Sequence, residues 1–72
     1  MPLQTILFNR KKFTIEEAIK WLDKYTTKDK PLTHKKVDVK KNFYRFRQRP
    51  PKDGANYYSM YVAPGVQFVF YD

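Results

Sequence analysis

Cysteine is absent from this chain of 72 residues, which excludes a disulfide framework and a thiolate zinc site. Only two glycines and one histidine are present. Two glycines cannot form a glycine-rich phosphate loop, and one histidine cannot form a histidine cluster for a metal. Stability must therefore come from packed side chains, and aromatic residues, at 18% of the chain, supply much of the apolar area.

Long apolar runs are also missing. No segment is apolar over the roughly 20 residues that a membrane-spanning helix needs. The segment MPLQTILFNRKK places its apolar residues before its basic ones, the reverse of a secretory signal. We therefore expect a soluble intracellular protein without a membrane span. The length predicts a single small domain, residues 1–72.

Patterns typical of enzymes are absent as well. His34 lies in a polar segment beside Lys35 and Lys36, which is typical of a surface loop and not of a general base. Glu16 and Glu17 are adjacent at the start of a helix, where they favour capping. For Asp38 and Asn42 we expect hydrogen bonding in a turn. The sequence predicts no enzyme activity, no metal and no cofactor.

Acidic residues are few: seven stand against fifteen Lys and Arg, a formal net charge of +8. So large a positive charge on a small chain attracts nucleic acid, anionic lipid or an acidic protein. The alternative is that the charge serves only solubility.

One helix and five strands are predicted from the patterning. Thr14 and Glu17 have the spacing of a capping box, and Phe13 and Ala18 that of a hydrophobic staple. An apolar stripe with Trp21 at its margin follows. These signals predict a helix from about Ile15 to Tyr25. The predicted strands are Leu3 to Phe8, the KVDVK segment at 36–40, Phe43 to Arg49, Tyr57 to Val62 and Val66 to Tyr71.

Two connections between the predicted strands remain open. Asn42 lies either in a tight turn or beside a bulge in a continuous strand. Pro64 and Gly65 favour a type II turn, although its twist suits a tight hairpin poorly and leaves a looser connection open. The order β-α-β-β-β-β predicts an α+β fold, with a single N-terminal helix packed on a mainly antiparallel sheet of four to five strands.

The stretch KKNFYRFRQRPPKDG, Lys40 to Gly54, alternates aromatic and cationic residues. Because side chains alternate across a strand, Tyr44 and Phe46 should face the helix, while Arg45, Arg47 and Arg49 form an outward row. Their spacing of about 7 Å is close to that of phosphates along a nucleic-acid strand. The alternative is a solvated strand whose arginines suppress pairing at a sheet edge.

Other residues would support such a binding surface. Phe43 is a candidate for stacking on bases, as are Tyr57, Tyr61 or Tyr58, depending on register. Further basic groups are Arg10-Lys11-Lys12, in the loop before the helix, and Lys35-Lys36 with Lys40-Lys41. Such charge runs are also typical of plain solvated surface.

From Phe13 to Pro51 the chain resembles a group of short proteins encoded by tailed phages and large DNA viruses, for which no activity is established. The resemblance rests on Ala18-x-x-Trp21-Leu22, Val37-Asp38, Asn42, Tyr44-Arg45-Phe46-Arg47-Gln48 and Pro50. The group often has His three residues after the Trp-Leu pair, where this chain has Tyr25. The resemblance implies a viral origin and no mechanism.

The expectation from sequence is a small, basic, non-catalytic viral protein that binds nucleic acid, single-stranded in preference, with low sequence specificity. The alternative is a protein–protein interaction module, either a virion component or an inhibitor of a host protein, that uses its basic surface or an open sheet edge on an acidic partner. A homodimer through a sheet edge is a further hypothesis. The expected location is the host cytoplasm or nucleus, or the virion.

Overall fold

A computed structural model describes residues 2–72 as one helix packed on one face of a five-stranded sheet. The elements are β1 (Leu3–Asn9), α1 (Ile15–Tyr25), β2 (Val37–Val39), β3 (Phe43–Arg47), β4 (Tyr57–Ala63) and β5 (Val66–Tyr71). The strand order is β2-β3-β1-β5-β4, and all neighbouring strands are antiparallel. The predicted α+β fold is confirmed. No helix within residues 2–72 has the length and apolarity to cross a membrane.

The start of α1 follows from the capping box predicted by the sequence. The Glu17 backbone N–H donates to Thr14 Oγ1 at 3.2 Å, and the Thr14 N–H donates to Glu17 Oε1 at 2.9 Å. These two bonds satisfy backbone donors that a helix start would otherwise leave unpaired. The carboxylate of Glu17 accepts the bond from the Thr14 N–H and also interacts with the Thr14 side chain. Because both contacts favour the charged carboxylate, the pKa of Glu17 lies below its ordinary value.

The core lies between α1 and the three central strands. Its fully buried apolar side chains are Ile6, Phe8, Phe46 and Val66 from the sheet and Ala18 and Leu22 from the helix. The Phe8 ring meets Phe13, Trp21 and Phe46 edge to face, with ring centroids 5.1–5.6 Å apart. This face of the sheet is called the helix-covered face below.

The strand register decides which side chains lie on the opposite, helix-free face. Arg47 pairs with Thr5, Arg45 with Leu7 and with Asp38, and Phe43 with Asn9. Directly paired residues share a face. The helix-free face is therefore made of Asp38 on β2, Phe43, Arg45 and Arg47 on β3, Thr5, Leu7 and Asn9 on β1, Gln67, Val69 and Tyr71 on β5, and Tyr57, Ser59 and Tyr61 on β4.

The connection between β4 and β5 is a tight turn, not the looser one left open by the sequence. Ala63 pairs with Val66, and Gly65 has φ +79°, as the third position of a type II turn requires. A register shift between Tyr61 and Ala63 accompanies this turn. Such an irregularity increases local right-handed twist, which compensates for a turn that twists poorly for a hairpin.

Two details of the β2–β3 region differ from the prediction. The strand predicted to reach Arg49 ends at Arg47, because the backbone N–H groups of Gln48 and Arg49 both donate to the carbonyl of Gln4, at 2.8 and 3.2 Å. Asp38 lies within β2, as the predicted KVDVK strand placed it, but opposite Arg45 and not in the turn hydrogen bonding expected for it. The turn itself contains Asn42, and the Lys40 N–H closes it on the Phe43 carbonyl at 2.8 Å.

Candidate nucleic-acid interface

Two arginines project from β3 on the helix-free face. Phe46 is fully buried and Tyr44 packs against the core, so Arg45 and Arg47 point away from the helix, as predicted. Two residues of a strand span about 7 Å, which sets the spacing of these side chains. Both are half-buried, and Arg45 Nε lies 3.5 Å from Thr5 Oγ1, a long contact that leaves most of the guanidinium donors free.

Arg49 does not continue this row. It lies beyond the end of β3, where its carbonyl accepts a bond of 3.0 Å from Gln4 Nε2. Arg47, Arg49, Lys35 and Lys36 instead line a pocket of about 180 Å³ at one end of the sheet. The predicted row of three arginines is therefore a pair on the strand, with the third in a basic pocket beside it.

The register also settles which tyrosines lie on this face. Tyr57 and Tyr61 are on the helix-free face, whereas Tyr58, paired with Phe70, is on the helix-covered face. The Tyr57 hydroxyl donates to the Lys52 carbonyl at 3.0 Å and accepts from the Lys52 N–H at 2.8 Å. These bonds hold the Tyr57 ring in place. Tyr61 is 71% exposed, which leaves its ring accessible for stacking.

A shallow groove of about 380 Å³ connects the arginines with the tyrosines. It is lined by Gln4, Thr5, Leu7, Arg45, Pro51, Tyr57 and Val69. The groove crosses β1 and β5 diagonally from Arg45 on β3 to Tyr57 on β4. The two residues are three strand spacings apart across the sheet and four residues apart along the strands, a backbone separation of about 19 Å. One end is therefore cationic, the other aromatic, and the floor between them largely apolar.

A second basic region lies at the end of the sheet away from Arg47. The loop after β1, with Arg10, Lys11 and Lys12, meets the β2–β3 turn with Lys40 and Lys41. Arg10 N–H bonds the Asn42 carbonyl at 3.0 Å, and Arg10 Nη1 bonds the Lys40 carbonyl at 2.8 Å. The same guanidinium lies 5.3 Å from the Tyr44 ring centroid.

Arg10 thus has a structural role that the sequence did not indicate, because its donors join two loops. The four lysines of this region are all exposed. Phe43 follows the turn directly and is half-buried on the helix-free face. The predicted basic and aromatic residues therefore follow β3 from one end of the sheet to the other.

The cations of this surface lack ion pairs with acidic side chains among the described residues. Across residues 2–72 no Lys or Arg side chain forms an ion pair with an Asp or Glu side chain. His34 Nε2 lies 3.4 Å from Asp23 Oδ1. His34 is exposed in its loop, as predicted. Asp38 is the one acidic side chain in the helix-free face as defined above. The surface can therefore receive an anion without first breaking internal ion pairs.

Sequence reasoning did not identify Thr5, Leu7, Pro51 and Val69 as part of the groove. Alternation within β1 would place Thr5 and Leu7 on one face, but only the strand order brings them between Arg45 and Tyr57. No protein-family model matches the chain, and comparison with curated proteins and with solved structures found no match either.

Proposed function

We propose that this chain is a small, non-catalytic viral protein that binds single-stranded nucleic acid along its helix-free face. The observation that carries the proposal is the groove with an arginine free of ion pairs within residues 2–72 at one end and a tyrosine ring held by two hydrogen bonds at the other. It would act in the cytoplasm or nucleus of the host cell, or within the virion, and needs no cofactor.

The two ends of the groove suit the two kinds of group that repeat along a nucleic-acid strand, the phosphate and the base. Arginine makes bidentate contacts with phosphate, and tyrosine provides a flat surface on which a base stacks. Bases of a duplex are already stacked on one another, whereas those of a single strand are free to turn onto Tyr57 or Tyr61. A single strand is therefore favoured over a duplex.

Low sequence specificity follows from the same chemistry. Stacking accepts every base, and phosphate contacts carry no sequence information. We expect steep salt dependence, with each phosphate contact adding about 0.7 to the slope of log affinity against log salt on single strands. Mixed and homopolymer strands should bind with similar affinity.

The test compares two double variants that lose the same charge. Arg45→Ser with Arg47→Ser removes the cationic end of the groove, and Lys28→Ser with Lys30→Ser removes two exposed cations from the loop after α1. Binding of a fluorescent single-stranded oligonucleotide is measured by anisotropy over a salt series. We expect the arginine variant to lose at least about tenfold in affinity and about 1.4 units of slope, as two phosphate contacts imply.

Circular dichroism on the same samples checks the fold, because both arginines are half-buried. Equal losses in the two variants would show that binding depends on total charge and not on the groove. A flat salt response of the parent would remove phosphate contacts as the source of affinity. Tyr61→Ala should weaken binding without changing the salt slope, since a ring carries no charge.

An acidic protein is the second candidate partner, as a component of the virion or a host protein that this chain inhibits. The pocket formed by Lys35, Lys36, Arg47 and Arg49 favours it, because guanidinium groups bind carboxylate as readily as phosphate. A pull-down from infected cells with and without nuclease separates the candidates. Retention of one protein after nuclease treatment would support the acidic protein and count against nucleic acid.

A further inference from the structure

Strand β4 is an open edge of the sheet with exposed apolar side chains on both of its faces. It has seven residues, and its only neighbour within residues 2–72 is β5. Tyr57 and Tyr61 on the helix-free face are 44% and 71% exposed. Tyr58 and Met60 on the helix-covered face are 48% and 54% exposed, so α1 leaves this strand uncovered. An uncovered edge of this kind is a template for pairing with another strand.

The opposite edge of the sheet is protected in the usual way. Strand β2 has only three residues and is flanked by Lys36 and Lys40. Short length and lysine both discourage pairing with another chain. By contrast, residues 54–71, which include all of β4, contain no charged residue, so this edge lacks such protection. Strand β4 is therefore open to pairing with a strand of another chain, whereas β2 is protected against it.

The hydrogen-bond pattern indicates which backbone groups of β4 are free. The Asp72 N–H donates to the Asn56 carbonyl at 3.3 Å. Because bonding alternates along an antiparallel pair, Asn56, Tyr58 and Met60 direct their backbone groups toward β5 and its extension. The backbone N–H and C=O groups of Tyr57, Ser59 and Tyr61 then point away from β5, toward the open edge. Ser59 is the middle residue of these three.

We propose that β4 pairs antiparallel with β4 of a second copy, so that two sheets join into one of ten strands. A strand paired antiparallel with itself obeys a two-fold axis, which makes the contact closed and self-complementary. Tyrosine side chains would then meet tyrosine or methionine side chains across the axis, and aromatic cross-strand pairs stabilise a sheet.

Charge favours a second copy over another partner. The molecule carries +8, so two copies repel each other wherever their cations meet. The basic residues of β3 and the β2–β3 turn lie toward the other edge of the sheet, whereas β4 is uncharged. An acidic partner would be drawn to the cations, but a second copy approaches with least repulsion through β4. This inference does not depend on nucleic-acid binding.

The test places one lysine on each edge strand. Ser59→Lys would set two like charges side by side at the two-fold axis, while Val39→Lys adds the same charge to β2, at a side chain that is 58% exposed. Mass is measured by light scattering after gel filtration over a concentration series. The parent and Val39→Lys should approach twice 8.8 kDa, and Ser59→Lys should stay at 8.8 kDa.

A parent that remains at the monomer mass throughout would overturn the inference, and so would equal behaviour of the two lysine variants. A mass that grows without a plateau would indicate open-ended assembly instead of a closed pair. Thermal melts establish whether Ser59→Lys is folded. Should it unfold, Tyr61→Lys, at a more exposed position of the same strand, must show the same loss of the dimer.

Discussion

Trp21 lies half-buried between α1 and the sheet, at the margin of the helical stripe where its sequence position predicted it. Its ring contacts Tyr25, Phe8 and Phe68, with centroids 4.5, 5.6 and 6.1 Å away. It therefore connects the exposed end of the helix with the buried centre of the core. Tyr25, by contrast, is 50% exposed and touches Trp21 from the outside.

We expect Trp21→Ala to lower the free energy of unfolding by about 3 kcal/mol, the low end for truncating a large aromatic, because the ring is only half-buried. Tyr25→Ala is the control, with an expected loss of about 1 kcal/mol, since less of its surface leaves water. Urea denaturation followed by circular dichroism gives both values. Equal losses, or no loss for Trp21→Ala, would show that Trp21 contributes little to the core.

At this scale, interactions between residues close in sequence were predictable. The bonds between Thr14 and Glu17 need only one helical turn, so the sequence specifies them. The position of Arg49 was not predictable, because it depends on the carbonyl of Gln4, a residue far away in the chain. Alternation correctly oriented Arg45 and Arg47 but could not tell where the strand stops.

At the scale of elements, the β4–β5 turn combines two requirements on one glycine. Gly65 has φ +79°, a conformation that side chains other than glycine adopt at a cost. An added Cβ would also lie 3.0 Å from Lys12 Cδ and 3.2 Å from a carbon of the Phe13 ring. The turn therefore packs directly against the segment that leads into α1.

Gly54 provides a matched control for this turn, since its φ is +75° and nothing lies within 4 Å of an added Cβ. We expect Gly54→Ala to cost about 1 kcal/mol, from backbone strain alone. Gly65→Ala should cost more, about 2 kcal/mol or above, because Phe13 must also move. Thermal or urea unfolding measures both. Equal costs would show that the crowding at Gly65 is relieved without loss of stability.

The boundaries of α1 and β5 match the prediction to the residue, and those of β1 and β4 to within one residue. These limits are set by local signals such as caps, prolines and glycines. The strand order β2-β3-β1-β5-β4 could not be predicted, because it depends on contacts between distant segments. The groove between Arg45 and Tyr57 exists because of this strand order. The sequence therefore identified both residues but not that they line the same groove.

For the molecule as a whole, the charge is the dominant property. The molecule measures 32 × 31 × 21 Å. At 0.01 M salt the screening length is about 30 Å, so all the cations repel one another, whereas at 0.15 M it is about 8 Å and only neighbours interact. The net charge of +8 should therefore destabilise the folded state most at low salt.

We expect the melting temperature to rise by several degrees between these two concentrations of sodium chloride, since about 1 kcal/mol corresponds to about 4–8 °C in a domain of this size. Lys40→Gln with Lys41→Gln should reduce the rise, because it removes two charges from the basic end of the sheet. Differential scanning calorimetry measures both proteins. A melting temperature independent of salt would show that the cations are too far apart to repel strongly.

The central position of β1 has a consequence for how the chain folds. It is the first strand in sequence, yet its two neighbours are β3 and β5, so Thr5 must meet both Arg47 and Val69. Nearly the whole chain must therefore be available before the sheet can close. Contacts between such distant residues slow folding. We infer that a ribosome-bound chain stays unfolded until residues 66–71 have emerged, and that sheet and core then form together.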